Sequence, residues 1–341
     1  MTRADAAAAI LWIGATLYAV FGGADFGAGL WDLLAGDAEK GERPRARIQR
    51  SLTPVWEANH VWLIFILVVL WTAFPEAFAA VMTTLYVPIA LAAVGIVLRG
   101  AGFAFRKSIV SLQGRRAMGA AFAISSVLTP FFMGTVVGAI AAGNVPAAGE
   151  GDAFSSWIAP LPLLVGALFV ASGAYLAAIF LTADARDGEA PDAGSGGPAG
   201  LEAYFARRAL IAAVAAGALA VAGIFALHAE ARYLFDRLTD QALPLVVVSA
   251  LCGLGVLGLL LRGGHRTGAR PLSVAAVVAV IWGWGVAQFP YLLPTSLTIS
   301  QSSAPDSTLD AVFIVFAIAV AVVLPALGLL YWLSQKDLLS E

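Results

Sequence analysis

Four ionisable residues stand where an apolar chain tolerates charge only for a reason: Asp25, Glu57, His60 and Arg99. Glu57 and His60 lie in SLTPVWEANHVWLIFILVVLWTAFPEAFA, residues 51–79, at the mouth of a segment apolar enough to enter a bilayer. Three residues apart, they share one helix face. Thr53 and Pro54 suit a helix cap and first position, which places Glu57 in the first turn, where the helix dipole favours a carboxylate and disfavours an imidazolium. Loss of water opposes that same negative charge. A carboxyl balanced between these effects, beside a neutral imidazole, is the chemistry of a proton relay. The same residues also fit a structural arrangement in which Glu57 pairs with Arg99 and His60 bonds a carbonyl. Asp25 lies in FGGADFGAG, with Asp32 seven residues further along the same face.

The elements that hold these groups must be membrane helices. The chain of 341 residues is 60% hydrophobic and only 12% charged, against about 25% charged in soluble domains. Its mean hydropathy is +0.86. A water-facing surface could not be kept solvated, so the composition excludes a soluble enzyme. The net charge of -2 carries no information about partners, and no nucleic-acid partner is expected. A single cysteine, Cys252, excludes disulfides within the chain and cysteine-based metal sites. The N-terminal stretch runs into a polar-spotted helix without a convincing cleavage site and is read as the first span.

A bilayer core takes about 20 apolar residues per helix. Nine segments meet that requirement: 6–35, 55–73, 77–105, 117–143, 157–182, 207–228, 242–262, 271–290 and 309–334. Pro88 and Pro130 fall inside spans, which neighbouring helices can accommodate. Sixteen of the 20 Lys and Arg residues fall in alternate loops, including Arg43, Arg45, Arg47 and Arg50 after span 1. That asymmetry puts the N-terminus outside and the C-terminus in the cytoplasm. Asp25, Glu57, His60 and Arg99 then all occupy the cytoplasmic half. The chain reads as one membrane domain over 1–341, with spans 1–5 in 1–182, a flexible cytoplasmic linker at 183–206 and spans 6–9 in 207–341. Small residues four apart, as at Gly23/Gly27 and Gly134/Gly138, predict close helix packing. Trp157, Trp282, Trp284 and Trp332 read mostly as interfacial anchors.

Only three histidines exist, His60, His228 and His265, and topology separates His228 from the others. A bis-histidine haem or a metal site built by this chain alone is therefore not expected. Nor is a nucleotide-binding loop, since the glycines at 22–29 follow no strand. The absence of a visible internal repeat gives an inverted-repeat transporter no support. Between Pro290, Pro294 and Pro305 lies a Ser/Thr-rich outer loop, with a capped start for span 9 around Ser307 or Thr308.

Four blocks together resemble subunit II of the cytochrome bd-type quinol oxidases, the group that includes the cyanide-insensitive oxidases. They are Asp25-Phe26-Gly27-Ala28-Gly29; Pro54-Val55-Trp56-Glu57-Ala58-Asn59-His60-Val61-Trp62-Leu63; Phe74-Pro75 with Leu98-Arg99-Gly100, Phe103 and Phe105-Arg106; and Pro290-Tyr291-Leu292-Leu293-Pro294-Thr295-Ser296. The resemblance implies an all-α integral membrane fold of nine helices, arranged as two four-helix bundles plus one peripheral helix. It implies a haem-bearing subunit I as partner, holding the b and d haems, in a complex that oxidises quinol and reduces oxygen in a bacterial cytoplasmic membrane. This chain would then hold no haem or metal of its own and have no activity alone. A quinone as a structural ligand, and a small accessory helix, are compatible with the resemblance. Asp25 and Glu57, with His60 and Arg99, occupy the positions implied to feed protons from the cytoplasm. Trp56, Asn59, Trp62, Arg106, Pro290 and Pro294 occupy motif positions for subunit packing.

The chain departs from the family pattern at several places. Glu57 stands where Asp is usual, Ala58 where Gly is usual, and His60 where Gln or Glu is common. The family's D-G-F-D start to the first block is reduced to Gly22-Gly23-Ala24-Asp25, with one acid missing, and Ala104 stands where the family often has an acid, so a proton path would be thinner or differently routed. Two other readings remain open at this point: a proton-coupled transporter using Asp25 and Glu57, and a purely structural scaffold.

Overall fold

The computed structural model describes residues 2–36, 41–52, 56–106, 111–187, 198–263 and 268–335. The first span is built from α1 (Arg3–Leu17), a wide π turn (Tyr18–Gly22) and α2 (Gly23–Leu33). A short amphipathic helix, α3 (Glu42–Leu52), follows; then come α4 (Trp56–Ala73), α5 (Pro75–Thr84), α6 (Tyr86–Arg106) and α7 (Leu112–Ala141). The second half comprises α8 (Pro160–Asp187), α9 (Pro198–Glu230), the short α10 (Arg232–Thr239), α11 (Leu243–Arg262) and α12 (Ala269–Gln288). A hairpin of β1 (Tyr291–Leu293) and β2 (Leu297–Thr298) leads through α13 (Ile299–Ser302) to α14 (Asp306–Gln335).

Eight of these helices, counting α1 to α2 as one, are long and apolar enough to cross a membrane. A ninth candidate is α4 with α5, which bend by 118° relative to each other. Pro75 starts α5 at a position where its missing N–H costs nothing, and it keeps Phe74 out of the helical conformation, at φ -139° and ψ 62°. Phe74 is fully buried at the bend, and the backbone N–H of Ala304 donates to the carbonyl of Ala73 at 2.8 Å. The break corrects the expected third span of 77–105: residues 77–84 belong to α5, and the span begins at Tyr86. Pro88 accordingly sits in the first turn of α6, at the start of that span, while Pro130 lies well inside α7.

Hydropathy also misreads the linker expected at 183–206. Residues 183–187 continue α8 and 198–206 begin α9, leaving 188–197 outside the described residues. Leu201, Phe205 and Ala209 are buried at four-residue spacing and pack with Ile48, Trp31 and Phe122 in one apolar cluster. That period is short and interrupted by Glu202, Arg207 and Arg208, so composition hides it. The Ser/Thr-rich stretch is likewise more ordered than a loop. Thr298 caps α13 through a reciprocal bond with Gln301, and α14 starts at Asp306 instead of behind a Ser307 or Thr308 cap. Trp157 is buried against Phe132, with ring centroids 5.9 Å apart, and Trp284 packs at 4.8 Å on Trp12. Both are packing residues, because their neighbours are aromatic and apolar side chains of this same chain.

Close helix contact occurs where the glycine spacing predicts it. A Cβ on Gly27 would lie 2.0 Å from the carbonyl oxygen of Gly173, and one on Gly134 2.7 Å from Cα of Gly166. Helix α8 can therefore approach α2 and α7 backbone to backbone.

Candidate functional site

The site is built on the junction between the π turn and α2. A single wide turn inside an otherwise α-helical span changes which side chains face inward, and Asp25 follows it within one turn. Asp25 and Arg99 are both buried, with side chains 1% and 2% exposed respectively. Nη2 of Arg99 donates to Oδ1 of Asp25 at 2.7 Å and to its backbone carbonyl at 3.1 Å. Nη1 of Arg99 donates to Oγ of Ser126, whose hydroxyl in turn donates to the carbonyl of Phe122 at 2.6 Å. The guanidinium lies over the rings of Phe122 and Phe26, at 4.6 and 4.9 Å from their centroids. One cation thus ties α2, α6 and α7 together.

Gly29 is what admits this arrangement. A Cβ there would lie 2.2 Å from Oγ of Ser126 and 2.9 Å from Nη1 of Arg99. The Asp-Phe-Gly-Ala-Gly block therefore has a physical reading: the acid holds the cation, Phe26 covers it, Gly27 lets α8 in and Gly29 clears the space.

The pair bears on one sequence expectation. The structural alternative paired Arg99 with Glu57, whose side chain lies outside the described residues; among the described residues the carboxylate on Arg99 is that of Asp25. Glu57 and Trp56 occupy the first turn of α4, but their side chains, and that of Arg106, lie outside the described residues. His60 is half-buried, with its ring 6.0 Å from that of Phe26 and 6.5 Å from that of Tyr18. Its Nδ1 is buried and reaches no hydrogen-bond partner among the described residues, so the carbonyl bond expected of His60 is not made through that nitrogen. Asn59 is buried one residue before it, and Trp62 meets Phe65 edge to face at 6.3 Å.

Sequence reasoning missed four members of this seam: Tyr18, Phe26, Ser126 and Thr129. The hydroxyl of Tyr18 donates to Sδ of Met133 at 3.8 Å, and Oγ1 of Thr129 is buried without a partner. The legible signal was hydroxyl residues three apart in an apolar span, Ser126 and Thr129, on one face of α7. Oδ2 of Asp25 and Nε of Arg99 are also buried without hydrogen-bond partners among the described residues. Buried polar atoms left in this state are ordinarily satisfied by ordered water.

Pro290 and Pro294 are placed elsewhere. They flank β1 at the opposite end of α12 from Arg270, and the carbonyl of Pro290 accepts from the N–H of Ile299 at 2.9 Å. Pro294 is buried while Pro290 is exposed.

The described histidines have separate surroundings. His60 lies against Tyr18 and Phe26, whereas His228 contacts Arg232 and packs at 4.7 Å on Phe235. His265 lies outside the described residues. Among the described residues no group of three His, Cys, Asp or Glu side chains converges.

Comparison with known proteins places this architecture. The chain is 22% identical over 349 residues to a putative cytochrome bd menaquinol oxidase subunit II of Bacillus subtilis (strain 168), covering 98% of this chain and 96% of that one. Shorter matches reach the cytochrome bd ubiquinol oxidase subunit 2 of the same organism, at 27% over 128 residues, and the cytochrome bd-I ubiquinol oxidase subunit 2 of Escherichia coli (strain K12), at 29% over 121 residues. Those two matches span 36% and 31% of the relatives' own lengths. A chain in the structure of bd oxidase from Geobacillus thermodenitrificans shares the fold, with a TM-score of 0.72 at 24% identity over 97% of this chain and 98% of that one. The model of the cytochrome bd terminal oxidase subunit II family matches residues 4–334; spanning nearly the whole molecule, it shows that this chain belongs to that family.

Proposed function

We propose that this chain is the non-haem-ligating second subunit of a membrane quinol:oxygen oxidoreductase, supporting assembly with a haem-bearing subunit I and feeding protons from the cytoplasmic side. In this reading its nine helices form two four-helix bundles plus a peripheral helix, α14, with the N-terminus outside and the C-terminus in the cytoplasm. The partner's haems supply the oxygen-reducing chemistry. This chain's residues hold and pass protons: Glu57 at the mouth of α4, then His60, with Asp25 and its unpartnered Oδ2 further in. The observation that carries the reading is the buried Asp25–Arg99 pair beside His60, bordered by unpartnered polar atoms of Asp25, Arg99, His60 and Thr129. A carboxylate locked by an arginine with no space beside it would not suit this role.

A second reading, a scaffold whose partner handles all protons, is favoured by the way Arg99 bridges three helices. Glu57→Gln separates the two. In the purified complex it is expected to lower quinol oxidase turnover per haem by roughly tenfold with the haem spectrum unchanged, less than the 10²–10⁴ typical of direct transfer to a reacting group, because water can bypass one path residue. Unchanged turnover per haem in both Glu57→Gln and His60→Gln would leave only the scaffold. Failure of the tagged chain to co-purify with haem would remove the oxidase reading itself.

A further inference from the structure

The loop after the first span is rich in positive charge, with Arg43, Arg45, Arg47 and Arg50 on one short helix. Helix α3 is seated on the end of the bundle by Pro44 and Ile48, both buried. At its C-terminal end Ser51 donates to Oδ2 of Asp184 at 2.9 Å, and Oδ1 of that carboxylate is held by Arg270. Arg43, Arg47 and Arg50 stand at i, i+4 and i+7, so they form one stripe beside the buried face. Arg43 and Arg50 are exposed and Arg47 is half-buried.

Ile48 shares its apolar cluster with Leu201 and Phe205 at the start of α9, where Arg207 and Arg208 follow. Arg208 lies flat on Tyr204, its guanidinium carbon 3.3 Å from the ring centroid, and 5.9 Å from the ring of Trp31. Its amino groups reach only the carbonyls of Tyr204 and Leu34, each at 3.4 Å, the outer limit of a hydrogen bond. Its Nε and the Tyr204 hydroxyl have no hydrogen-bond partner among the described residues. Two acids of this end are engaged elsewhere: Asp184 with Arg270, and Asp32 at 3.9 Å from Arg45.

We propose that this corner of α2, α3 and α9 binds the phosphate headgroup of an anionic phospholipid. Arg208 and Tyr204 anchor the phosphate, and the Arg43/Arg47/Arg50 stripe with Arg207 supplies the surrounding charge. The occupant is a lipid because of where the charge lies. Arg207 and Arg208 fall within the first turns of the apolar span Gly200–Glu230, and α3 is an amphipathic helix whose apolar side is buried against the bundle end. A headgroup at that depth keeps its acyl chains in the membrane. Basic clusters at such positions attract anionic lipid by about 1 kcal/mol, or about fivefold in affinity, per arginine.

The test uses the complete, delipidated oxidase complex in detergent. Thermal stability and native mass spectrometry would follow addition of phosphatidylglycerol, phosphatidylcholine or inorganic phosphate. Phosphatidylglycerol is expected to be retained and to raise the midpoint, with an affinity that falls as ionic strength rises. Arg207→Gln with Arg208→Gln should weaken it by about 25-fold; Arg208→Lys should recover part of that loss, and Arg232→Gln at the opposite end should change nothing. Equal retention of phosphatidylcholine, an equal effect of free phosphate, or independence from salt would each overturn the proposal. The salt titration needs no variant, so a poorly folding mutant cannot shield the idea.

Discussion

Arg99→Ala is expected to destabilise the chain by about 3–5 kcal/mol, the range for removing one partner of a buried ion pair, and to prevent recovery of an intact complex. The charge of Asp25 would be left 2% exposed between three helices, with no cation to offset its desolvation. Ser126 would also lose its guanidinium donor, and the rings of Phe26 and Phe122 would face a void. Asp25→Asn should cost less, because its amide oxygen still accepts from Nη2 of Arg99. The informative variant is the double change Asp25→Leu with Arg99→Met. Removing both charges restores a packed apolar contact, and such replacements are often neutral or stabilising. Thermal unfolding followed by size-exclusion chromatography should therefore show the double variant more stable than Arg99→Ala alone. A double variant no better than the single one would mean that the pair is not the source of the effect. Where it does assemble, its turnover per haem reports whether Asp25 passes protons or only holds helices.

Gly27→Ala is expected to have the next largest effect. The new methyl would sit 2.0 Å from the carbonyl oxygen of Gly173 and 2.6 Å from the backbone nitrogen of Ala174. Both are main-chain atoms of α8, so no rotamer change can relieve the clash. The helices must separate, and overpacking of this kind costs about 1–3 kcal/mol or more. Because Gly27 lies two residues from Asp25, separation would also loosen the grip on Arg99. Gly217→Ala is the matched control, since nothing lies within 4 Å of its added Cβ. It should be neutral or slightly stabilising, through the helix preference of alanine over glycine. Equal melting of the two variants would show that the α2–α8 contact is not tight in the membrane.

The spans were legible in sequence because crossing a bilayer imposes a length and a hydropathy that each segment must satisfy locally. The glycine spacings were legible for the same reason: four-residue intervals put small residues on one face whatever the neighbour is. The bend at Phe74 was not, since a proline at the start of a helix and a proline inside one differ only in what the preceding residue does. Composition also hid the helical ends of the 183–206 segment, where the burial of Leu201 and Phe205 depends on α3 and α2 being there to receive them.

By itself, then, the sequence determined a multi-span membrane protein and the family blocks, with Asp25, Glu57, His60 and Arg99 inside them. Which charge meets which was decided only by tertiary structure. Arg99 is 74 residues from Asp25 along the chain and 42 from Glu57, and either acid satisfies its electrostatics in a sequence-level reading. Asp25 meets Arg99 where the wide turn at Tyr18–Gly22 precedes it, Gly29 leaves room, and Phe26 and Phe122 wall the guanidinium in. Those are conditions of packing between helices, and no local pattern encodes them.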